Sequence, residues 1–286
     1  MTATNEPVNG KELGLEDWLQ DVRPDVQGPT TGFSELDAVT RGLLPGTLTV
    51  IASRPAVGRS TLLLNLCTAA AITSGVPVLH ANLESDTNNT LIRVMSHQAR
   101  VALHHILSDT LTDDDMTKMR RRLPVISNAP LHLWAPARLT AASLAAKARE
   151  YVNDHGVRII ALDGIQDVRP EKRNDLRERE VGDVVRDIKT MARELDVAVV
   201  ATSHLNRATE VRPDRRPALD DLRESGAITF AADTIILVHR PDAYEVEHPR
   251  AGEADLIVAK HRGGPTATVT VAFQGHYSRF VDMAQT

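Results

Sequence analysis

Residues 53–61 read SRPAVGRST and follow directly on the apolar run TLTVIA at 47–52. A strand that passes through a short glycine-containing loop into a helix is the layout of a phosphate-binding loop, G-x-x-x-x-G-K-[ST]. Such a loop offers backbone N–H groups and a helix N-terminus to a polyphosphate. Here Ser53 stands where the first glycine belongs and Arg59 where the lysine belongs, while Gly58 and Ser60 fit. Ser53, Arg54, Pro55, Ala56, Val57, Gly58, Arg59, Ser60 and Thr61 are therefore the candidate nucleotide-binding residues, with the Ser60 hydroxyl aimed at a bound Mg²⁺. An ordinary strand–turn–helix junction reads the same way, so this stretch needs support from elsewhere in the chain.

That support begins with the surrounding pattern. After Pro29 short apolar, β-branched runs recur as TLTVIAS, VPVLHANL, LHLWA, VRIIALDG, VAVVATSH, TIILVHR and ADLIVAKHR. Helix-like stretches, TLLLNLCTAAAITS, LTAASLAAKAREYVNDH and EVGDVVRDIKTMAREL, separate most of the early ones. Strands alternating with helices imply an α/β fold with a mainly parallel sheet flanked by helices. The end of the chain, ADLIVAKHRGGPTATVTVAFQGHYSRF, reads as strand, Gly-Gly-Pro turn, strand, which predicts an antiparallel C-terminal edge. The organisation expected is an N-terminal arm over residues 1–29 and one domain over 30–286.

The chain has 286 residues, 42% hydrophobic and 25% charged, the profile of a globular domain with a core of its own. No run of eighteen apolar residues occurs and the N-terminus lacks a basic-then-apolar pattern, which speaks against a spanning helix and a signal peptide. The lone Cys67, amid LLLNLCTAA, reads as a buried filler and fits a reducing cytoplasm. A net charge of −5 argues against a protein that coats nucleic acid with its whole surface. It leaves room for a basic inner lining.

Ligands of open α/β sheets sit at the carboxyl ends of the strands. One strand ends in IIALDG, and Asp163 there is the carboxylate that a nucleotide-bound Mg²⁺ requires. Another ends in ANLESD, where Glu84 could polarise an attacking water. The alternative for Glu84 is a helix-start carboxylate beside Asp86.

The order TGFSELDAVTRGLLPG, SRPAVGRST, NLESD, IIALDGIQDV, VATSHLNR, DLRESGAITFAADTIILVHR and AKHRGGP resembles the C-terminal motor domain of DnaB-type replicative helicases. RadA-like and KaiC-like ATPases share the opening but not the C-terminal set. The resemblance implies a RecA-like P-loop ATPase that uses ATP and Mg²⁺ and assembles as a homo-hexameric ring on single-stranded DNA during replication. Matched by position, Ser60 and Asp163 hold the metal and Glu84 activates water. Arg93 helps hold the phosphates. Lys260 and Arg262 enter the neighbour's site in trans, Arg262 as the finger on transition-state charge. The position usually held by a phosphate-sensing glutamine is His204 here. Two cations on an edge hairpin with no acid nearby in sequence suit anion recognition in trans.

In the resemblance Arg223, Glu224 and Gly226 of RESG hold successive DNA phosphates. The stretch RPDRRP supplies Arg212, Arg215 and Arg216, three cations stiffened by prolines. Contacts of this kind carry no base sequence information. Family members also carry an N-terminal domain that recruits primase, joined by a helix that docks on the next subunit. Only about thirty residues precede the motor here, and LGLEDWLQDV reads as a remnant of that helix, with Leu13, Leu15, Trp18 and Leu19 as its apolar face. A helicase loader and other replication proteins are the further partners implied. Two alternatives stand beside the motor. One is a non-hydrolysing paralogue that binds DNA or partners, favoured by Ser53, Arg59 and His204. The other is a RadA-like recombination ATPase, which fits the opening but not the end.

Overall fold

Alternate residues of β1 (Leu48–Ser53) serve two different cores. Leu48, Val50 and Ala52 join one buried cluster, and Ile51 joins the other. A strand whose two faces are both covered must be apolar throughout, which explains why the early runs show no polar alternation. The computed structural model describes residues 27–171, 176–222 and 225–283. The expected docking segment with Leu13, Leu15, Trp18 and Leu19 lies outside the described residues, as do Arg223 and Glu224.

The helices are α1 (Ser34–Thr40), α2 (Arg59–Thr68), α3 (Thr87–Ala99), α4 (Leu103–Leu107), α5 (Asp113–Ser127), α6 (Ala141–His155), α7 (Arg177–Glu194) and α8 (Ser225–Ala231). The strands after β1 are β2 (Val78–Asn82), β3 (Leu131–Trp134), β4 (Ile159–Asp163), β5 (Ala198–His204), β6 (Thr234–His239), β7 (Glu253–His261), β8 (Ala267–Gln274) and β9 (Arg279–Asp282). They form one nine-stranded sheet in the order β3-β2-β4-β5-β1-β6-β7-β8-β9. Strands β1 to β6 run parallel, and β6 to β9 pair antiparallel. The mainly parallel sheet and its antiparallel edge are as the sequence predicts. The short β9 and the three helices α3, α4 and α5 between β2 and β3 are additions to that reading.

Helix α2 covers one face of the sheet with Leu62, Leu63, Leu66 and Cys67. Burial pushes the Cys67 thiol well above its usual range, so it stays protonated as a packing group. Helix α7 covers the other face with Val181, Val184, Val185, Ile188 and Met191, a stripe at the spacing of a helix face. The register then sets the site. Ser53 pairs with His204 across β1 and β5, and Asn82 pairs with Asp163 across β2 and β4. Four strand ends therefore meet along one edge. No helix among the described residues is long and apolar enough to cross a membrane.

Candidate active site

The loop between β1 and α2 is held in shape from several sides. Ser53 is fully buried, and its hydroxyl donates to the Arg54 carbonyl at 2.8 Å. A side chain is thus accommodated where the motif has glycine. Gly58 adopts φ 121°, and a Cβ there would stand 2.8 Å from the Phe280 ring. Only glycine fits. Arg54 ties the loop to the segment after β5, donating to the Leu205 carbonyl at 2.9 Å and pairing with Glu210 at 2.7 Å. Arg240 donates to the Val57 carbonyl at 3.3 Å and lies 3.6 Å over the Phe273 ring.

This loop opens on a cleft of about 440 Å³ at the carboxyl ends of β1, β2 and β4. Pro55, Ala56, Gly58, Arg59, Ser60 and Thr61 line it from the loop, and Glu84, Arg93 and Asp163 face them. The candidate loop, metal-site residues, base and phosphate-side arginine thus share one cavity. Asp163 is 2% exposed and accepts a hydrogen bond from the Thr202 hydroxyl. Ser60 stands in the first turn of α2. A hydroxyl and a buried carboxylate on one cleft are the oxygen donor set that Mg²⁺ takes, and the residues present fit that ion. Arg93 is exposed on α3 and makes no hydrogen bond or ion pair with another described residue.

Glu84 does not start a helix. Asp86 does, accepting from the Asn89 amide at 2.7 Å as the N-cap of α3. Glu84 is set instead by Asn82, whose side-chain carbonyl accepts from the backbone N–H groups of Glu84 and Ser85, each at 2.9 Å. The Asn82 amide donates onward to Ser85 and Thr90. Asn82 is a positioning residue that sequence reading passes over. An asparagine at a strand end two residues before the candidate base was the available signal.

Arg59 departs from the motif in placement as well as identity. It is 7% exposed, and its Nη2 donates to Glu84 Oε1 and lies 3.2 Å from His204 Nε2. Its Nε is buried with no hydrogen-bond partner. The His204 imidazole, with Nε2 3.6 Å from Glu84 Oε1, and the Arg59 guanidinium together hold the Glu84 carboxyl down to about 2, against the opposing effect of burial. Asp167, on the turn after β4, stands beside this group. Burial, then the charge of Glu84, push its carboxyl above the usual range.

Other expectations change in the structure. Lys260 and Arg262 do have uses within their own chain. Lys260 Nζ donates to the carbonyls of Thr229 and Ala232, each at 2.6 Å, and so satisfies the C-terminus of α8. Arg262 makes looser contacts, 3.3 Å to the Phe230 carbonyl and 3.5 Å to Asp233, and its side chain is 57% exposed. Both line a shallow depression with Gly226. The RPDRRP arginines are not a free cationic stripe. Arg212 pairs with Asp221 and Arg216 with Asp255, carboxylates 1% and 2% exposed, while Arg215 lies 5.3 Å over the Tyr244 ring. A buried carboxylate requires a counter-charge, and these two arginines supply it.

Against known proteins, the DnaB-like helicase C-terminal domain matches residues 28–282. The replicative DNA helicase DnaB of Leifsonia xyli is 46% identical over 257 residues, 90% of this chain and 56% of that protein. The replicative DNA helicase DnaB of Mycobacterium leprae is 42% identical over 226 residues, 79% of this chain and 37% of that protein. The chain spans about half the length of the curated relatives it matches. A solved ATPase domain superposes with a TM-score of 0.88 at 31% identity, covering 95% of this chain and 97% of that one. A solved DnaB-like replicative helicase, studied with its interactions with primase, gives 0.89 at 30%, covering 98% of this chain and 68% of that one. The RecA-like sheet, the order of motifs along it and these matches agree, and the chain belongs to the DnaB-like helicase C-terminal domain family.

Proposed function

We propose that the chain is the ATP-driven motor domain of a replicative DNA helicase, acting on single-stranded DNA as a hexameric ring of identical chains. The supporting observation is the single cleft in which the phosphate loop, Ser60, Asp163, Glu84 and Arg93 face one another. Ser60 and Asp163 would hold Mg²⁺, whose charge neutralises the phosphate oxygens when bound. The loop amides and Arg93 hold the phosphates, and Glu84 accepts the proton of the attacking water. His204 senses the γ-phosphate from the end of β5. Exposed Arg262 serves the neighbouring chain's site, and Lys260 steadies the strand–helix junction that carries it. DNA phosphates are held along Arg223, Glu224 and Gly226, independent of base sequence. A helicase loader or other replication proteins are the expected partners, in the cytoplasm.

The pairing of Arg59 with Glu84 favours one second reading, a relative that binds ATP and DNA without hydrolysis. DNA-stimulated ATP hydrolysis separates the two. Release of phosphate that rises with single-stranded DNA and disappears in Glu84→Gln supports the motor. ATP binding with no turnover, with or without DNA, supports the second reading.

A further inference from the structure

Glu84, Asp167 and His204 come from three separate segments, yet their ligand atoms all lie within 4.8 Å of one another. His204 Nε2 stands 3.6 Å from Glu84 Oε1. Two donors bound to one ion at ordinary bond lengths lie about 3–4 Å apart, and the His204–Glu84 spacing falls in that range. A cation already occupies part of the space, since the Arg59 guanidinium bonds Glu84 and abuts His204. It fits imperfectly. Its buried Nε has no acceptor, and the Asp167 carboxylate has neither hydrogen bond nor ion pair with another described residue. One guanidinium charge is set against two carboxylates.

We propose that Glu84, Asp167 and His204 form a binding site for a transition-metal dication, which competes with the Arg59 guanidinium for the same carboxylate. A dication matches the two negative charges that Arg59 leaves half-neutralised. One imidazole nitrogen and two carboxylate oxygens suit Mn²⁺ or Zn²⁺, whereas Mg²⁺ takes oxygen ligands in near-ideal octahedral geometry. Three protein ligands leave positions open for water or a phosphate oxygen. The site borders the cleft that holds Ser60 and Asp163 and shares Glu84 with it, but its ligands need no nucleotide, so metal binding to the nucleotide-free chain is read apart from ATP hydrolysis.

Electron paramagnetic resonance of Mn²⁺ added to the nucleotide-free full chain tests this. One Mn²⁺ per chain is expected, with nitrogen coupling from the imidazole in its spectrum. Asp167→Asn and His204→Gln, both at accessible side chains, should each weaken binding by about tenfold or more, and His204→Gln should remove the nitrogen coupling. Arg59→Ala should tighten binding, because the competing cation is gone. Zn²⁺ should displace the Mn²⁺, and a roughly hundredfold excess of Mg²⁺ should not. Three outcomes overturn the site: no bound Mn²⁺ in either the wild type or Arg59→Ala, affinity unchanged in both ligand variants, or displacement by equimolar Mg²⁺.

Discussion

The Arg59 guanidinium lies on the Glu84 carboxylate, with His204 Nε2 3.2 Å from the same Nη2. A phosphate loop ordinarily keeps a cation at this position for the β- and γ-phosphates. Here it is turned across the cleft onto the residue proposed to activate water. A polyphosphate carries more negative charge than one carboxylate and is framed by loop amides. Nucleotide entry is therefore expected to draw Arg59 away and leave Glu84 to the water.

The first prediction concerns pH. Free glutamate titrates near 4.5, and Glu84 in the folded chain near 2. A depressed carboxyl contributes stability that is present above the unfolded value and lost as pH falls through the folded one. The stability difference between wild type and Glu84→Gln should therefore be constant at neutral pH and shrink from pH 4.5 towards 2. Its size should be small, because the Glu84 side chain is 34% exposed and solvent screens the pair. Urea midpoints at about pH 7, 5 and 3 measure it, and a difference that widens towards low pH refutes the assignment.

Asn82 should matter to the same carboxylate without touching substrate. Asn82→Ala leaves two backbone amides without their acceptor and should cost about 1–2 kcal/mol of stability. Because Glu84 then loses its placement, turnover should fall about tenfold while ATP affinity changes little. Equal losses in affinity and turnover would assign Asn82 to nucleotide binding instead.

How much of this site is legible in the sequence depends on where each partner lies. Strands β1 to β6 are legible because each is a short, mainly apolar run, most of them rich in β-branched residues. Helices α3 and α5 are not, since TNNTLIRVMSHQA and DDDMTKMRRRLPVIS turn few apolar residues inward. Their caps carried the signal: Asp86 before α3, and the reciprocal Thr112–Asp115 capping box before α5. Asp163, Glu84 and Ser60 are readable because a strand end or helix start fixes where such a residue points. Arg212 and Arg216 are not. Their carboxylates lie 9 and 39 residues further on, and only the folded sheet reveals that the charges are already matched.

That pairing yields a prediction for DNA binding. Arg216→Ala leaves Asp255 with Arg250 as its remaining ionic partner and should lower the melting temperature. Affinity for single-stranded oligonucleotides, measured below the transition, should keep its magnitude and its salt slope if the Asp255 pair occupies the Arg216 guanidinium. Arg223→Ala should reduce that slope by about one and weaken binding evenly across sequences. A reduced slope in Arg216→Ala would return that arginine to the DNA surface.

Lys260 and Arg262 should separate in the same manner. Lys260 satisfies two carbonyls at 2.6 Å and Arg262 none so closely, so Lys260→Ala should lower thermal stability more. Arg262→Ala should leave stability close to wild type and reduce ATP hydrolysis. Mixing it with Glu84→Gln should restore activity, because each chain then supplies what the other lacks. No recovery on mixing would remove the arginine from the neighbour's site.

The last prediction returns to Arg59. A loop lysine places a compact charge between the β- and γ-phosphates, whereas a guanidinium is longer and planar and cannot occupy the same space. Arginine has a second cost in this chain, because its length lets it reach Glu84, and under the proposed mechanism hydrolysis would have to break that pair first. Lysine has a shorter reach and a point charge, so Arg59→Lys should leave Glu84 free of this contact. Hydrolysis should then rise by about tenfold to a thousandfold, roughly 1.4–4 kcal/mol of recovered transition-state stabilisation. ATP affinity should change by less than about tenfold, since the loop amides do much of the binding in either case. The Glu84 carboxyl should also titrate higher once the guanidinium is gone, which carboxylate NMR reads independently of turnover. If Arg59→Lys binds ATP, shows the upward shift of Glu84 and still hydrolyses nothing, the motor reading fails, and the chain is a nucleotide- and DNA-binding relative of the helicase.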